Sequence, residues 1–306
     1  MLMGCFGDIT VTFSANSEEQ IKLINQYIDH SLTRFQGTVS LRVAPLIEAM
    51  RYSLEGGGKR LRPLLVMASA DYLGIPTSHV LPVAAAVEYI HTYSLIHDDL
   101  PAIDDDDTRR GKPSSHKAFG EAIAILAGDA LLTEAFGQMM VLIEEGYFQP
   151  SHVLGAIKLL VHHAGVAGMV GGQLLDVNTD HSNFTLPEIE FIHIHKTGAL
   201  ILASVLLPTK LIPVEEAKVR NLRKFGESFG LAFQISDDLL DIEASIRYSR
   251  GPRKKPKPTY TRLMSPQEAK EKLNRLIDTA ISSVKGEGER GQALIEIAEF
   301  VRTRKK

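Results

Sequence analysis

Two clusters of aspartates are the residues in this sequence best suited to hold metal ions. In the first, six of the ten residues from 98 to 107 are aspartates: Asp98, Asp99, Asp104, Asp105, Asp106 and Asp107. The second contains Asp237, Asp238 and Asp241, and because its first and last members are four residues apart they share one helix face. Carboxylate oxygens are the ligands that a hard cation such as Mg²⁺ prefers. Either cluster alone could be a solvated acidic surface, but two of them, each following an apolar stretch, indicate metal ions shared across a cavity.

Basic side chains are placed where they can balance this negative charge. Gly56, Gly57 and Gly58 precede Lys59, and a glycine-rich approach to a helix start leaves backbone N–H groups open to an anion. The candidate cations, with a histidine of the helix that leads into the first cluster, are Lys59, Arg60, Arg62, His91, Arg109, Arg110 and Lys112. The segment lacks the Lys–Ser/Thr ending of a P-loop, so we do not expect a nucleotide. Carboxylates and cations around one cavity indicate metal-bound diphosphates as substrates.

Helices are predicted to position these residues. Between Ile21 and Phe35, and again after Ala269, apolar residues recur at steps of three and four, which is the period of an amphipathic helix. Three capping boxes predict helix starts: Ser17 with Gln20, Thr185 with Glu188, and Ser265 with Glu268. Residues 84–97 are predicted to form a helix that Pro101 ends near Leu100. We therefore expect an all-α fold in one large domain over 1–306, with its core at about 20–300.

Composition excludes several classes of protein. The chain has 306 residues, of which 44% are hydrophobic and 23% charged, so disorder and collagen are excluded. Its formal charge of −3 excludes a bulk nucleic-acid binder. A lone cysteine, Cys5, cannot form an internal disulfide, which fits a reducing, cytoplasmic location. The most apolar run, 198–207, ends at Pro208 after ten residues, so we expect no membrane span.

Several motifs, in order, resemble those of the short-chain trans-prenyl diphosphate synthases. The matching segments are 57–63, 97–104 with 109–111, 171–173 with Asp176, 195–198, and 233–241. The resemblance covers about residues 20–300. It implies a single bundle of about ten or more helices around a central cavity, assembled as a homodimer. It also implies condensation of isopentenyl diphosphate with an allylic diphosphate.

The resemblance implies a role for each matching residue. Asp98, Asp104 and Asp237 should hold Mg²⁺, with Asp99 and Asp241 in support, and three ions are expected, for which Mn²⁺ could substitute. Arg109 should stabilise the departing allylic diphosphate. Four residues should bind isopentenyl diphosphate: Lys59, Arg62, His91 and Arg110. Three should line the reacting carbon and stabilise the cation: Lys196, Thr197 and Gln234.

Two segments of the resemblance bear on substrate enclosure and product length. The basic segment 247–257 lies where the family has a lid, but it looks several residues short, which leaves open whether Lys257 or another cation closes it. Tyr93 and Ser94 precede Asp98 by about one helical turn, and an aromatic residue at 93 resembles the pattern of enzymes that form farnesyl diphosphate.

Other interpretations of the sequence stay open. A geranylgeranyl diphosphate synthase differs from the farnesyl enzyme only at the pocket floor. A non-catalytic regulatory subunit could keep the same fold, but the acidic and basic motifs are intact. A terpene cyclase would need no second diphosphate site such as Lys59 and Arg62.

Overall fold

A computed structural model describes residues 15–35, 40–178, 185–248 and 259–304. The structure is 81% helical, which confirms the all-α prediction. Its fourteen α-helices in the described ranges are α1 Ala15–Thr33, α2 Ala44–Glu55, α3 Leu61–Tyr72, α4 Thr77–Asp98, α5 Ser115–Phe119, α6 Glu121–Glu144, α7 Pro150–Ala164, α8 Met169–Asn178, α9 Leu186–His193, α10 Ala199–Leu206, α11 Pro208–Leu211, α12 Glu216–Tyr248, α13 Pro266–Val284 and α14 Gln292–Thr303.

Shorter elements join these helices. Short 3-10 helices lie at Leu41–Val43, Tyr260–Arg262 and Lys285–Gly291, and a π-helical segment at Ile194–Gly198 joins α9 to α10. Strands β1 (Thr108–Arg109) and β2 (Lys112–Pro113) form an antiparallel hairpin directly after the first aspartate cluster. Sequence patterns do not predict this hairpin, because two-residue strands are too short for an alternating pattern.

Helix α4 lies at the centre of the fold. It packs against α3, α6 and α10, and its residues from Val80 to Ile90 are all buried. A helix that is apolar on every side is stable only when other helices surround it, which explains its position. It ends at Asp98, close to the end that Pro101 predicts. The first aspartate cluster therefore begins where this central helix ends.

The predicted helix starts are confirmed at two of three positions. Thr185 and Ser265 each form a capping box, with Glu188 and Glu268 respectively. The prediction at Ser17 is wrong, because this residue lies inside α1, which begins at Ala15.

The longest helix, α12, carries the second aspartate cluster. It packs against α10 and α13, and the rings of Phe225 and Phe229 stack on its buried side with centroids 5.5 Å apart. Both belong to one hydrophobic cluster that runs from α1 to α14. This shared core fixes the direction of α12 relative to α4.

Three helical stretches are long and apolar enough, by length and composition, to cross a membrane: Glu121–Glu144, Pro150–Asn178 and Leu186–Leu206. Between 33% and 56% of the most apolar window of each is buried inside the protein. A search for an uninterrupted apolar run does not find them, because these windows include small and polar residues. The expectation of no membrane span therefore stays a prediction.

Candidate active site

The loop after α4 folds back on the end of that helix. The backbone N–H of Asp104 donates to the carbonyl oxygen of Asp98 at 2.9 Å, and that of Asp105 donates to Leu100 at 3.1 Å. The loop accordingly brings Asp98 and Asp104, the two predicted metal ligands of this cluster, next to each other.

Asp99 has a different environment from its neighbours. Its side chain is 3% exposed, and its carboxylate accepts hydrogen bonds from Nε and Nη2 of Arg109, with Nε at 3.1 Å from each oxygen. Burial raises the pKa of Asp99, and the hydrogen bonds from Arg109 oppose that shift. The structure therefore makes Asp99 the residue that fixes the Arg109 side chain.

The hairpin places Arg110 against the glycine-rich segment. Arg110 and Gly111 occupy its turn, both with positive φ (52° and 79°), as a tight two-residue hairpin turn requires. The Arg110 guanidinium donates to the carbonyl oxygen of Gly57. It also lies so close to Gly58 that a Cβ there would be 2.6 Å from it. Another residue at 58 would displace this guanidinium, and the backbone φ of 129° also favours glycine there.

Arg60, one of several cations that the sequence places near the site, is turned into the core. It has a left-handed φ of 48°, is 6% exposed, and pairs with Glu88 on α4 at 2.6 Å. Its Nε donates to Asn25 on α1 at 2.8 Å. Because Arg60 is anchored in this way, its neighbours Lys59 and Arg62 are held at the wall of a cavity.

Two cavities meet between these elements. The first has a volume of about 510 Å³ and is lined by Gly56, Gly57, Gly58, Lys59, Arg60, Leu61, Arg62, Glu88, His91, Arg110, Phe233 and Phe300. The second has about 240 Å³ and is lined by Arg62, His91, Tyr93, Ser94, Leu95, His97, Asp98, Ile103, Met169, Val170, Gln173, Lys196 and Thr197. Arg62 and His91 line both, so the cavities adjoin at these two residues.

The residues at the junction are prepared for an anion. Burial lowers the pKa of Arg62 to about 10, which leaves it cationic at neutral pH, and its buried Nε has no hydrogen-bond partner in the described ranges. Burial, followed by the charges of Arg62 and Arg110, lowers the pKa of His91 well below its usual value, so the imidazole is neutral. A neutral imidazole can still donate one hydrogen bond.

Lys196 lies in the second cavity on the π-helical segment. Its ammonium pairs with Asp176 on α8 at 2.5 Å. Burial would lower the pKa of Lys196, but Asp176, Asp98 and Asp104 outweigh it and raise the pKa. The same cavity contains Gln173, whose two amide atoms are buried without a described partner. The sequence marks Gln173 only as part of a matching motif.

The second aspartate cluster divides into two environments on α12. Asp237 accepts a hydrogen bond from Arg304 at 2.7 Å, and burial raises its pKa while Arg304 lowers it. Asp238 is 4% exposed and accepts hydrogen bonds from the backbone of Tyr260 at 2.8 Å and from Gln234 at 3.1 Å. Burial raises its pKa to about 7. Asp238 therefore ties α12 to the Tyr260 turn, and Gln234 is its partner.

The donor set fits hard divalent cations. Asp98 and Asp104 both raise the pKa of Lys196, and Asp241 raises the pKa of Asp237. The carboxylates of each motif therefore lie close enough to one another to act on the same group. Among the described residues, the one group of three whose ligand atoms lie within 4.8 Å of one another is a different set: Asp105, Asp107 and His116. Within the described residues, no such group of three joins the two predicted motifs.

Lys257 and Arg304 differ from the other site residues in how the sequence and the structure describe them. Lys257 lies outside the described residues, as does most of the basic segment 247–257. Arg304 is missed by sequence reasoning, because a single arginine after the last apolar helix carries no signal that separates it from a solvated terminus.

Comparison with known proteins identifies the family. The polyprenyl synthetase family model matches residues 43–296. Farnesyl diphosphate synthase of Geobacillus stearothermophilus is 43% identical over 290 residues, which are 94% of this chain and 96% of that protein. Geranylgeranyl pyrophosphate synthase of Capsicum annuum is 41% identical over 260 residues, covering 83% of this chain and 70% of that protein.

A solved structure leads to the same family. An FPP/GFPP synthase from Zymomonas mobilis superposes with a TM-score of 0.83 at 36% identity, covering 94% of this chain and 99% of that one. The chain belongs to the polyprenyl synthetase family. The resemblance of its motifs to prenyl diphosphate synthases is confirmed.

Proposed function

We propose that this protein is a trans-prenyltransferase that condenses isopentenyl diphosphate with dimethylallyl or geranyl diphosphate to give farnesyl diphosphate. The main structural support for this proposal is that two cavities adjoin at Arg62 and His91. Two anionic substrates could bind in these adjoining cavities, which would bring their hydrocarbon chains within reach of each other. The farnesyl diphosphate synthase relative, similar over most of its length, supports the same activity.

Isopentenyl diphosphate would bind in the first cavity. Lys59, Arg62 and Arg110 supply positive charge there, and His91 supplies a neutral hydrogen-bond donor. Among the described lining residues Glu88 is the one carboxylate, and Arg60 neutralises it. The cavity therefore retains a positive field for a diphosphate that needs no metal.

The allylic diphosphate would bind at the second cavity and the aspartate clusters. The predicted metal ligands are Asp98, Asp104, Asp237 and Asp241, and Mg²⁺ held there would neutralise the charge on the departing diphosphate. Lys196 adds a fixed positive charge beside Asp98 and Asp104, and Arg109 is oriented by Asp99. Thr197 and Gln234 are proposed to line the cation without trapping it. The departed diphosphate would take up the proton that the new bond releases.

Product length would be set by the wall of the second cavity. Tyr93 and Ser94 lie there, about one helical turn before Asp98. Geranylgeranyl diphosphate is the alternative product, since a geranylgeranyl synthase is also similar over most of the chain. The bulk of Tyr93 favours the shorter product.

We further propose that the chain is one cytoplasmic domain that works as a homodimer. One hydrophobic cluster extends from α1 to α14, and apolar side chains are exposed on α6 and α7, including Leu126 and Leu154. Lys257 or a neighbouring cation would close over the diphosphates.

Steady-state kinetics of two variants tests the division of the site. Lys59→Ala should raise the KM for isopentenyl diphosphate about tenfold, because it removes a charge-assisted hydrogen bond. The KM for geranyl diphosphate should change little. Asp104→Asn should instead lower kcat by about a hundredfold or more, because Asp104 is proposed to hold a metal ion that stabilises the departing diphosphate.

Lys270→Ala, exposed on α13, is the control for loss of a lysine. Equal changes of both KM values in Lys59→Ala would contradict separate diphosphate sites. A wild-type protein that forms no product would support the non-catalytic subunit.

A further inference from the structure

Arg304, which directly follows α14, reaches a carboxylate of the proposed metal site. Its Nη2 donates to Oδ1 of Asp237 at 2.7 Å and to the carbonyl oxygen of Phe233 at 3.0 Å. The guanidinium carbon also lies 4.3 Å from the centre of the Phe233 ring. Arg304 is 8% exposed although it lies beyond the end of α14, so these contacts bury a residue that would otherwise be solvated.

Ser236 is small enough to leave space for Arg304, and it also hydrogen-bonds to that residue. Its hydroxyl accepts a hydrogen bond from Nε of Arg304 at 2.9 Å and donates to the carbonyl oxygen of Val301 at 3.2 Å. Ser236 is 4% exposed, so the site has no space for a long side chain while Arg304 occupies it. The serine thus joins α12 to the end of α14 and directs the guanidinium onto Asp237.

The ion pair of Arg304 with Asp237 balances negative charge in the protein without metal. Asp237 faces the negative charge of Asp241, and the cations that oppose it are Arg304 and Lys59. A divalent cation with bound diphosphate would supply positive charge to the same oxygen. A metal ion bound at Oδ1 of Asp237 would repel the guanidinium that contacts the same oxygen, which favours one of the two cations at a time.

We propose that Arg304 occupies the place of a metal ion at Asp237 and gives up that carboxylate when Mg²⁺ and diphosphate bind. This inference rests on the proposed function, since it takes Asp237 as a metal ligand. Arg304 is a positioning residue: it holds Oδ1 of Asp237 through a hydrogen bond, and its release would couple the end of α14 to metal loading.

The position of Arg304 allows this exchange. α14 ends at Thr303, and Arg304 has an extended backbone (φ −59°, ψ 140°), so its side chain can leave without unwinding the helix. In the sequence it is followed by Lys305 and Lys306. In a protein expressed to end at Lys306, these three basic residues would be successive substrates for carboxypeptidase B, which removes carboxy-terminal lysine and arginine.

Carboxypeptidase B digestion read by intact-mass spectrometry tests the exchange. Without added Mg²⁺ or diphosphate, and with no chelator because carboxypeptidase B is itself a zinc enzyme, the chain should lose Lys306 and Lys305 and then retain Arg304. Excess Mg²⁺ with inorganic diphosphate should speed the loss of Arg304 at least fivefold. Ser236→Arg, which fills the space beside Asp237, should lose Arg304 rapidly even without Mg²⁺ and diphosphate. An equal rate of Arg304 loss with and without Mg²⁺ and diphosphate would overturn the proposal.

Metal affinity gives a second readout that does not depend on turnover. In Mn²⁺ titrations followed by electron paramagnetic resonance with inorganic diphosphate present, Arg304→Met should bind Mn²⁺ about fivefold more tightly, the effect of losing a competing ion pair worth about 1 kcal/mol. Arg302→Met is the matched control, because Arg302 pairs with Asp278 instead, at 2.6 Å. Unchanged affinity in folded Arg304→Met would also overturn the exchange.

These outcomes are separable from those of the proposed function. If the wild type condenses prenyl diphosphates but Arg304 stays protected, the exchange alone is wrong. If Arg304 is released by Mg²⁺ and diphosphate but no prenyl product forms, the exchange stands and the proposed reaction is wrong.

Discussion

Tyr93 is the residue on which the proposed product depends most directly. It is 7% exposed, lines the second cavity, and lies edge-on to the ring of His97 with centroids 5.8 Å apart. Because the ring is held in this way, the growing chain cannot push it aside without disturbing α4.

Tyr93→Ala should shift the main product from fifteen carbons to twenty or more, because it removes most of a large side chain from the cavity wall. Chromatography of the dephosphorylated products measures the change. Tyr89→Phe is the control, since Tyr89 does not line that cavity and its hydroxyl bonds to Ser31 instead. An unchanged product distribution in Tyr93→Ala would contradict the role of this residue.

Asp238 makes a separate prediction about pH. Its pKa of about 7 in the folded protein exceeds the value of about 3.9 expected for the unfolded chain. Between these values the folded protein binds a proton that the unfolded chain has released, so the free energy of unfolding falls as the pH rises. In EDTA, the melting temperature of the wild type relative to that of Asp238→Asn should therefore decrease from pH 5 to pH 8, a comparison in which the opposite contributions of His91 and His163 cancel.

At pH 8 Asp238→Asn should have a melting temperature higher than that of the wild type by about 2 °C or more, and at pH 5 the two should differ less. The amide oxygen of the new side chain can still accept the hydrogen bond from the Tyr260 backbone, while the buried negative charge is gone. Differential scanning calorimetry in EDTA measures both proteins. A difference between the two melting temperatures that does not grow from pH 5 to pH 8 would contradict the raised pKa of Asp238.

At the scale of elements, the π-helical segment depends on a close approach to α8. A Cβ added to Gly172 would overlap the backbone nitrogen of Lys196, far inside van der Waals contact. The glycine therefore allows the segment to bring Lys196 and Thr197 to the second cavity. Extra turns of π-helix are often found at functional sites, which fits this position.

Gly172→Ala should displace the Lys196 backbone and lower kcat at least tenfold, since small misplacements of catalytic groups reduce rates strongly. Gly155→Ala on α7 is the control, because its new Cβ would meet nothing within 4 Å. That control should raise the free energy of unfolding by about 0.5–1 kcal/mol. Full activity of a folded Gly172→Ala protein would show that the close approach is not needed.

Sequence patterns predict the helices but not the contacts between distant ones. The period of apolar residues and the capping boxes at Thr185 and Ser265 report local structure, which the structure confirms. The pairings of Arg60 with Glu88 and of Arg304 with Asp237 join residues 28 and 67 positions apart. Such pairs are set by the packing of helices, and a single sequence contains no local signal for them.

At the scale of the whole molecule, exposed apolar faces support the proposed dimer. Leu126 on α6 is 55% exposed and Leu154 on α7 is 61% exposed, in two of the three stretches that are apolar enough to cross a membrane. Burying such side chains against a second copy of the chain would remove them from water.

Sedimentation velocity without detergent should give a mass of about twice 33.7 kDa. The double variant Leu126→Lys, Leu154→Lys should shift the protein toward the monomer, because lysine is costly to bury in an interface. Leu41→Lys, at a position that is 92% exposed, should leave the dimer unchanged. A monomeric wild type, or one that stays in solution only with detergent, would contradict the dimer.

The central claim is that two diphosphate sites join at Arg62 and His91 to form one prenyl chain. Incubation of the wild type with Mg²⁺, isopentenyl diphosphate and dimethylallyl diphosphate, followed by dephosphorylation and chromatography, tests it most directly. The account predicts farnesol as the main product, and none when EDTA is added. Recovery of only the five-carbon alcohols would contradict the claim.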